Sequence, residues 1–206
     1  MAMGRLLTGV YQACKWISHF AILHLLWVGC TLLGGIVFGI GPSTVAMYAV
    51  ARKTIYEDVE ISMVQTFWKS YRQEFLKANG LFFLVAAIGI IWYFDLQFFR
   101  QFEGIFYSIM NYLMIMVGLV YFILLLFLLP VYVHYDLKSF AYIKQALTIA
   151  FLNHKALLLL VVGGLSSYYF FITFPGFIPI FGITLFCHFN MWVAFHCFQS
   201  IEEFQT

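Results

Sequence analysis

Among the polar side chains inside otherwise apolar runs, four stand out: His24 near the start of the chain, and His188, Asn190 and His196 near its end. A neutral imidazole nitrogen can ligate haem or a transition metal, so a bis-histidine site built from His24 and His188 is the sharpest chemistry these residues offer. No spacing motif ties the two together. A hydrogen bond between helices accounts for a buried His or Asn with fewer assumptions. His24, His188 and Asn190 are therefore kept as intramembrane polar positions, since such groups are costly in hydrocarbon and count as functional candidates by default. No catalytic residue, cofactor or metal is assigned. His19 and His196 are placed near interfaces.

Other chemistry finds little support. Asp95 and Glu103 could be imagined as an acid pair, but Arg100 lies between them and a solvated turn explains all three. Glu57, Asp58 and Glu60 follow Arg52 and Lys53, as expected of a helix start or of exposed ion pairs of small energetic weight. The chain lacks GxxxxGK[ST], HExxH and GxSxG, so phosphate-loop ATP binding, zinc-peptidase and hydrolase-elbow chemistry have no sequence support. Its four cysteines show no CxxC spacing, which argues against a zinc knuckle or a disulfide framework. No Asp, Glu, Lys or Arg falls in the middle of an apolar run. Ion-coupled carriers usually hold such a group there, although unwound backbone can also coordinate sodium.

The elements that must position these residues follow from composition. Of 206 residues, 64% are hydrophobic and 10% charged, against roughly one quarter charged in a soluble domain. The chain reads as an all-α, polytopic membrane helix bundle forming a single domain over residues 1–206. A net charge of +2 with dispersed cations gives no footprint for nucleic acid. The first apolar segment runs past twenty residues without a small-x-small cleavage site, so it is expected to remain as an uncleaved span. About 20 apolar residues make one crossing, and the charge-free runs are 16–51, 78–94, 104–135 and 156–201. The second and third suit one helix each. The last is broken at Phe174-Pro175-Gly176-Phe177-Ile178-Pro179, where prolines and glycine end one helix and begin another.

The first run decides the topology. With one crossing there, the positive-inside rule leaves three cations outside and eight inside; with two, Arg100 alone is outside and ten are inside. Six spans are therefore expected, at 16–38, 42–56, 78–95, 105–130, 156–174 and 178–198, with both termini cytoplasmic. Gly39, Gly41 and Pro42 are expected to make the structural turn, glycine allowing the reversal and proline opening the returning helix. A re-entrant half-helix over 42–56 is the alternative. Residues 62–77 place Met63, Val64, Phe67, Trp68, Tyr71 and Phe75 on one face of an amphipathic interfacial helix, with Ser62 and Gln65 as a capping box. A second such helix is expected over 139–155. The junctions FLKANGLFFLV and FLNHKALLLLV agree at five of eleven positions, a faint sign of duplicated halves.

The stretch GIGPSTVAMYAVARK and the helix FWKSYRQEF resemble the YesL-like family of bacterial integral membrane proteins, most specifically at Gly41, Pro42, Ala46, Tyr48, Arg52 and Lys53. Where members of that family often carry an Asn-Phe pair, this chain reads Glu74-Phe75, with Asn79 further on. The resemblance implies association with ATP-driven sugar importers and supplies no catalytic residue. It leads to the expectation of an accessory, non-enzymatic subunit in a bacterial plasma membrane, with the lipid bilayer and the importer's membrane subunits as partners and with Trp68, Lys69, Tyr71 and Arg72 at the contact. Two other readings are an independent transporter or channel with a cavity between its helices, and a haem- or metal-binding membrane protein.

Overall fold

The computed structural model describes residues 2–56, 62–137 and 139–203. The acidic cluster Glu57, Asp58 and Glu60, together with Lys138, lies outside the described residues. Among the described residues seven α-helices follow one another: α1 (Ala2–Leu33), α2 (Val37–Tyr56), α3 (Met63–Arg100), α4 (Ile105–His134), α5 (Ser139–Leu152), α6 (His154–Thr173) and α7 (Ile178–Glu203). Among the described residues no strand occurs. Five helices, α1, α3, α4, α6 and α7, are long and apolar enough to cross a bilayer. The chain is a multi-pass membrane protein.

The reversal after α1 lies upstream of the expected place. Gly34, Gly35 and Ile36 form it, and Gly39, Gly41 and Pro42 lie inside α2. Gly35 takes φ 72°, the left-handed conformation that glycine adopts without steric cost. Ile36 N–H donates to Thr31 O at 2.9 Å and Gly35 N–H to Leu32 O at 3.0 Å, the paired bonds of a Schellman end. Gly39 serves packing instead, because its bare Cα lies against the Thr31 backbone of α1. Pro42, beyond the first turn of α2, is tolerated there because neighbouring helices surround it.

α2 then returns through the middle of the bundle, touching α1, α3, α4 and α7. Small residues make this possible: Gly39, Gly41, Ser43, Ala46 and Ala51 are all buried, and small side chains let helix backbones approach closely. Alongside α1, Trp27 Nε1 donates to Thr44 Oγ1 at 3.1 Å. Against α3, Gly41 faces Ala78, Asn79 and Phe82. Polar residues survive on α2 because protein rather than lipid is its solvent, and for the same reason α2 is absent from the five apolar spans.

α3 is a second departure from the sequence expectation. The amphipathic segment 62–77 and the span 78–95 form one continuous 38-residue helix, roughly 57 Å long at 1.5 Å per residue. The composition changes at Lys77 but the backbone direction does not. Ser62 takes the N-cap position without a side-chain capping bond, so the capping box does not form. α3 and α4 run antiparallel, stitched by Tyr121 OH to Val85 O at 3.0 Å and by Trp92 Nε1 to Met114 O at 2.7 Å. Helix α5 ends at Leu152, and Asn153 separates it from α6. The two junctions of the faint repeat therefore differ, one lying within a helix and the other at a break. The Pro175–Phe177 turn separates α6 from α7 as expected.

Candidate functional site

The polar residues of α1 and α7 meet along one seam. His24 Nδ1 and Thr184 Oγ1 are 3.3 Å apart and buried, and the His24 ring stacks on Trp27 with centroids 5.9 Å apart. α7 kinks at Gly182, which holds φ 25°, and the absence of a side chain there leaves room for the His24 ring. His188 approaches His19 instead, with Nε2 atoms 3.3 Å apart. Asn190 is buried and donates through Nδ2 to Leu126 O of α4 at 3.0 Å. His24 and His188 thus share a seam but have separate partners, and Asn190 belongs to a different interface. No group of three His, Cys, Asp or Glu side chains suited to a metal occurs among the described residues.

The four residues expected at a partner contact divide between surface and core. Trp68, Lys69 and Arg72 are exposed, whereas Tyr71 is buried. Tyr71 OH donates to Cys30 O of α1 at 3.1 Å, so this side chain joins α3 to α1 and is not available to a partner. The exposed face instead continues through Val64 and Leu76, the latter 84% exposed. Val64, Trp68, Arg72 and Leu76 recur every four residues and so form one stripe along the helix.

A polar cavity escaped the sequence reading. It measures about 370 Å³ and lies where the end of α2 meets the start of α3 and the end of α4. Arg52 and Lys53 come from α2, Glu74 and Lys77 from α3, and Tyr132 and Asp136 from α4 and the chain just after it. Tyr132 OH donates to Glu74 Oε2 at 2.7 Å, and Arg52 Nη1 donates to Val133 O at 3.2 Å. Arg52 Nε has no hydrogen-bond partner among the described residues. Its walls come from positions some eighty residues apart in sequence, which no local motif could join. The available sequence signal is the pair Arg52-Lys53 closing a helix of small residues, with polar His134-Tyr135-Asp136 directly after a long apolar run.

Comparison with known proteins gives a consistent likeness. A family model described as "Protein of unknown function, DUF624" matches residues 20–96. Two proteins of Bacillus subtilis (strain 168) are similar over nearly the whole chain. "Uncharacterized protein YteU" is 31% identical over 204 residues, 98% of this chain and 89% of the relative. "Uncharacterized protein YesV" is 33% identical over 193 residues, 94% of this chain and 93% of the relative. A third from the same organism, "Uncharacterized protein YesL", is 23% identical over 197 residues, 96% and 93% of the two chains. No solved structure gives a significant match.

Proposed function

The chain belongs to the YesL-like, DUF624 family, and on that premise we propose that it is an accessory membrane subunit of an ATP-driven sugar importer. It contributes helix surfaces for assembly and has neither an ATPase nor a catalytic centre of its own. In this reading both termini and the basic end of the bundle face the cytoplasm of a bacterial plasma membrane, in keeping with the positive-inside rule.

The observation that carries the proposal is the exposed stripe Val64, Trp68, Arg72 and Leu76 on α3. Trp68 precedes the charge-free segment by ten residues, about 15 Å along the helix. A helix standing near the membrane normal takes Trp68 past the hydrocarbon edge and through the headgroup layer. An exposed Trp beside an Arg is the composition that protein interfaces favour at their anchors. The link to sugar import rests on the family resemblance and the stripe supplies the surface.

The test is affinity isolation of the tagged chain from native membranes in mild detergent. Membrane subunits of an ATP-driven sugar importer should co-isolate, and Trp68→Ala with Arg72→Glu should abolish their recovery while the chain itself remains folded. Recovery that is unaffected by both substitutions moves the contact elsewhere. Absence of importer subunits, together with substrate flux in vesicles holding this chain alone, replaces the proposal with an independent carrier.

A further inference from the structure

The polar cavity at the basic end has an apolar neighbour. The neighbour measures about 320 Å³ and is also walled by α2, α3 and α4, with Val45 lining both cavities. Leu81 and Phe82 of α3 and Leu125, Leu128 and Leu129 of α4 supply its surface. A single three-helix groove therefore passes from charged residues to hydrocarbon-like ones.

We propose that this groove seats one membrane phospholipid, with its phosphate against Arg52, Lys53 and Lys77 and an acyl chain along the apolar cavity. Three observations converge on this occupant. The cations are available: among the described residues none of the three pairs with Glu74 or Asp136, and Lys53 and Lys77 are exposed where they line the cavity. Guanidinium and phosphate have matched donor and acceptor geometry, and basic pockets between membrane helices recognise acidic headgroups. Each cavity falls within the volume range of small-ligand sites, so the pair suits a molecule with a polar end and an apolar end. A soluble anion would fill only the first.

The carboxylates narrow the headgroup. Glu74 and Asp136 share the polar cavity with the cations, and their oxygens accept hydrogen bonds. They therefore favour a headgroup that carries donors beyond its phosphate, such as glycerol hydroxyls, over trimethylated choline, which has none.

The experiment uses the full chain in a nonionic detergent, with retained lipid measured by native mass spectrometry. Phosphatidylglycerol and phosphatidylcholine of the same chains are offered in separate samples, each with and without inorganic phosphate as competitor. One phosphatidylglycerol per chain should survive, with phosphatidylcholine held more weakly. Lys53→Gln and Lys77→Gln should each weaken retention about fivefold, and adding Arg52→Gln should bring the total to about a hundredfold. Both lysines are exposed, so the single variants test the site without threatening the fold. Ala86→Phe, which enters the apolar cavity from its wall, should weaken retention with every cation intact. Unchanged retention in the triple variant overturns the site. Competition by inorganic phosphate with no effect of Ala86→Phe overturns the lipid in favour of a soluble anion, and equal retention of the choline lipid overturns the headgroup assignment.

Discussion

Replacing Gly39 by alanine adds one methyl group where α1 and α2 cross. That methyl would lie 2.8 Å from both Cα and the carbonyl carbon of Thr31, and nearer still to its carbonyl oxygen, whereas carbon atoms pack at about 3.5–4.0 Å. These are backbone atoms, so no rotamer change relieves the overlap and the helices must separate by at least about 0.7 Å at the crossing. Overpacking of this kind costs about 1–3 kcal/mol. Alanine returns about 1 kcal/mol through helix propensity, which leaves a net loss of about 0–2 kcal/mol. Two other glycines calibrate the result. Gly80 has open space around its Cα, so Gly80→Ala should stabilise by about 0.5–1 kcal/mol. Gly35 holds φ 72°, so Gly35→Ala should cost about 1–2 kcal/mol. Equilibrium unfolding of the detergent-purified chain, followed by tryptophan fluorescence, ranks the three variants against the parent. Adding Thr31→Ala to Gly39→Ala should rescue nothing, because the side chain is not what clashes. If Gly35→Ala proved stabilising, residue 35 would lie inside a helix and the reversal would belong at Gly39–Pro42 after all. If Gly39→Ala behaved like Gly80→Ala, the close crossing would be refuted.

Tyr71→Phe removes the buried bond to Cys30 O and should lower stability by about 0.6–1.7 kcal/mol while leaving recovery of partner subunits unchanged, the opposite pattern to Trp68→Ala; loss of recovery with full stability would reassign Tyr71 to the contact surface. With the exposed Cys14 first changed to serine, a membrane-impermeant thiol reagent applied to intact cells should modify Glu103→Cys and spare Ser62→Cys until the cells are permeabilised. Both positions are exposed in the fold, so ready labelling at Ser62→Cys in intact cells would reverse the proposed orientation.

What the sequence made legible was punctuation between solvents. Long charge-free runs located α4, and the Pro175-Gly176 break divided α6 from α7, because these signals act within a few residues. The first reversal was harder for a physical reason: Gly34-Gly35 and Gly39, Gly41, Pro42 offer two sets of turn residues within nine positions, and only the packing of Gly39 on Thr31 decides between them. The division of α3 at Lys77 had a different origin. A switch from amphipathic to wholly apolar composition reports a change in what surrounds a helix, and a straight helix leaving a membrane undergoes the same change without bending. Tyr71 shows the limit at a single residue. Its periodicity places it correctly on the apolar face of α3, but periodicity cannot say whether that face meets lipid, a partner or another helix of the same chain.

The same limit hid the polar cavity. Counting apolar runs sorts helices by how well they suit lipid, so α2, with Pro42, Ser43, Thr44, Arg52 and Lys53, is left out of the apolar spans among the described residues although it is 20 residues long. In the fold it packs against α1, α3, α4 and α7. A helix enclosed by protein need not be hydrophobic all round, since its neighbours can accept its polar groups: Thr44 Oγ1 donates to Ile40 O at 2.7 Å and receives the Trp27 indole, and Arg52 reaches Val133 O. That freedom lets α2 end in two cations at the mouth of a three-helix groove, where a lipid-facing helix would have to send them to the interface. A helix enclosed by its neighbours is therefore where charged side chains can be held in fixed geometry, and a polytopic chain of this kind should be searched for chemistry first along the long helix that its apolar runs leave out.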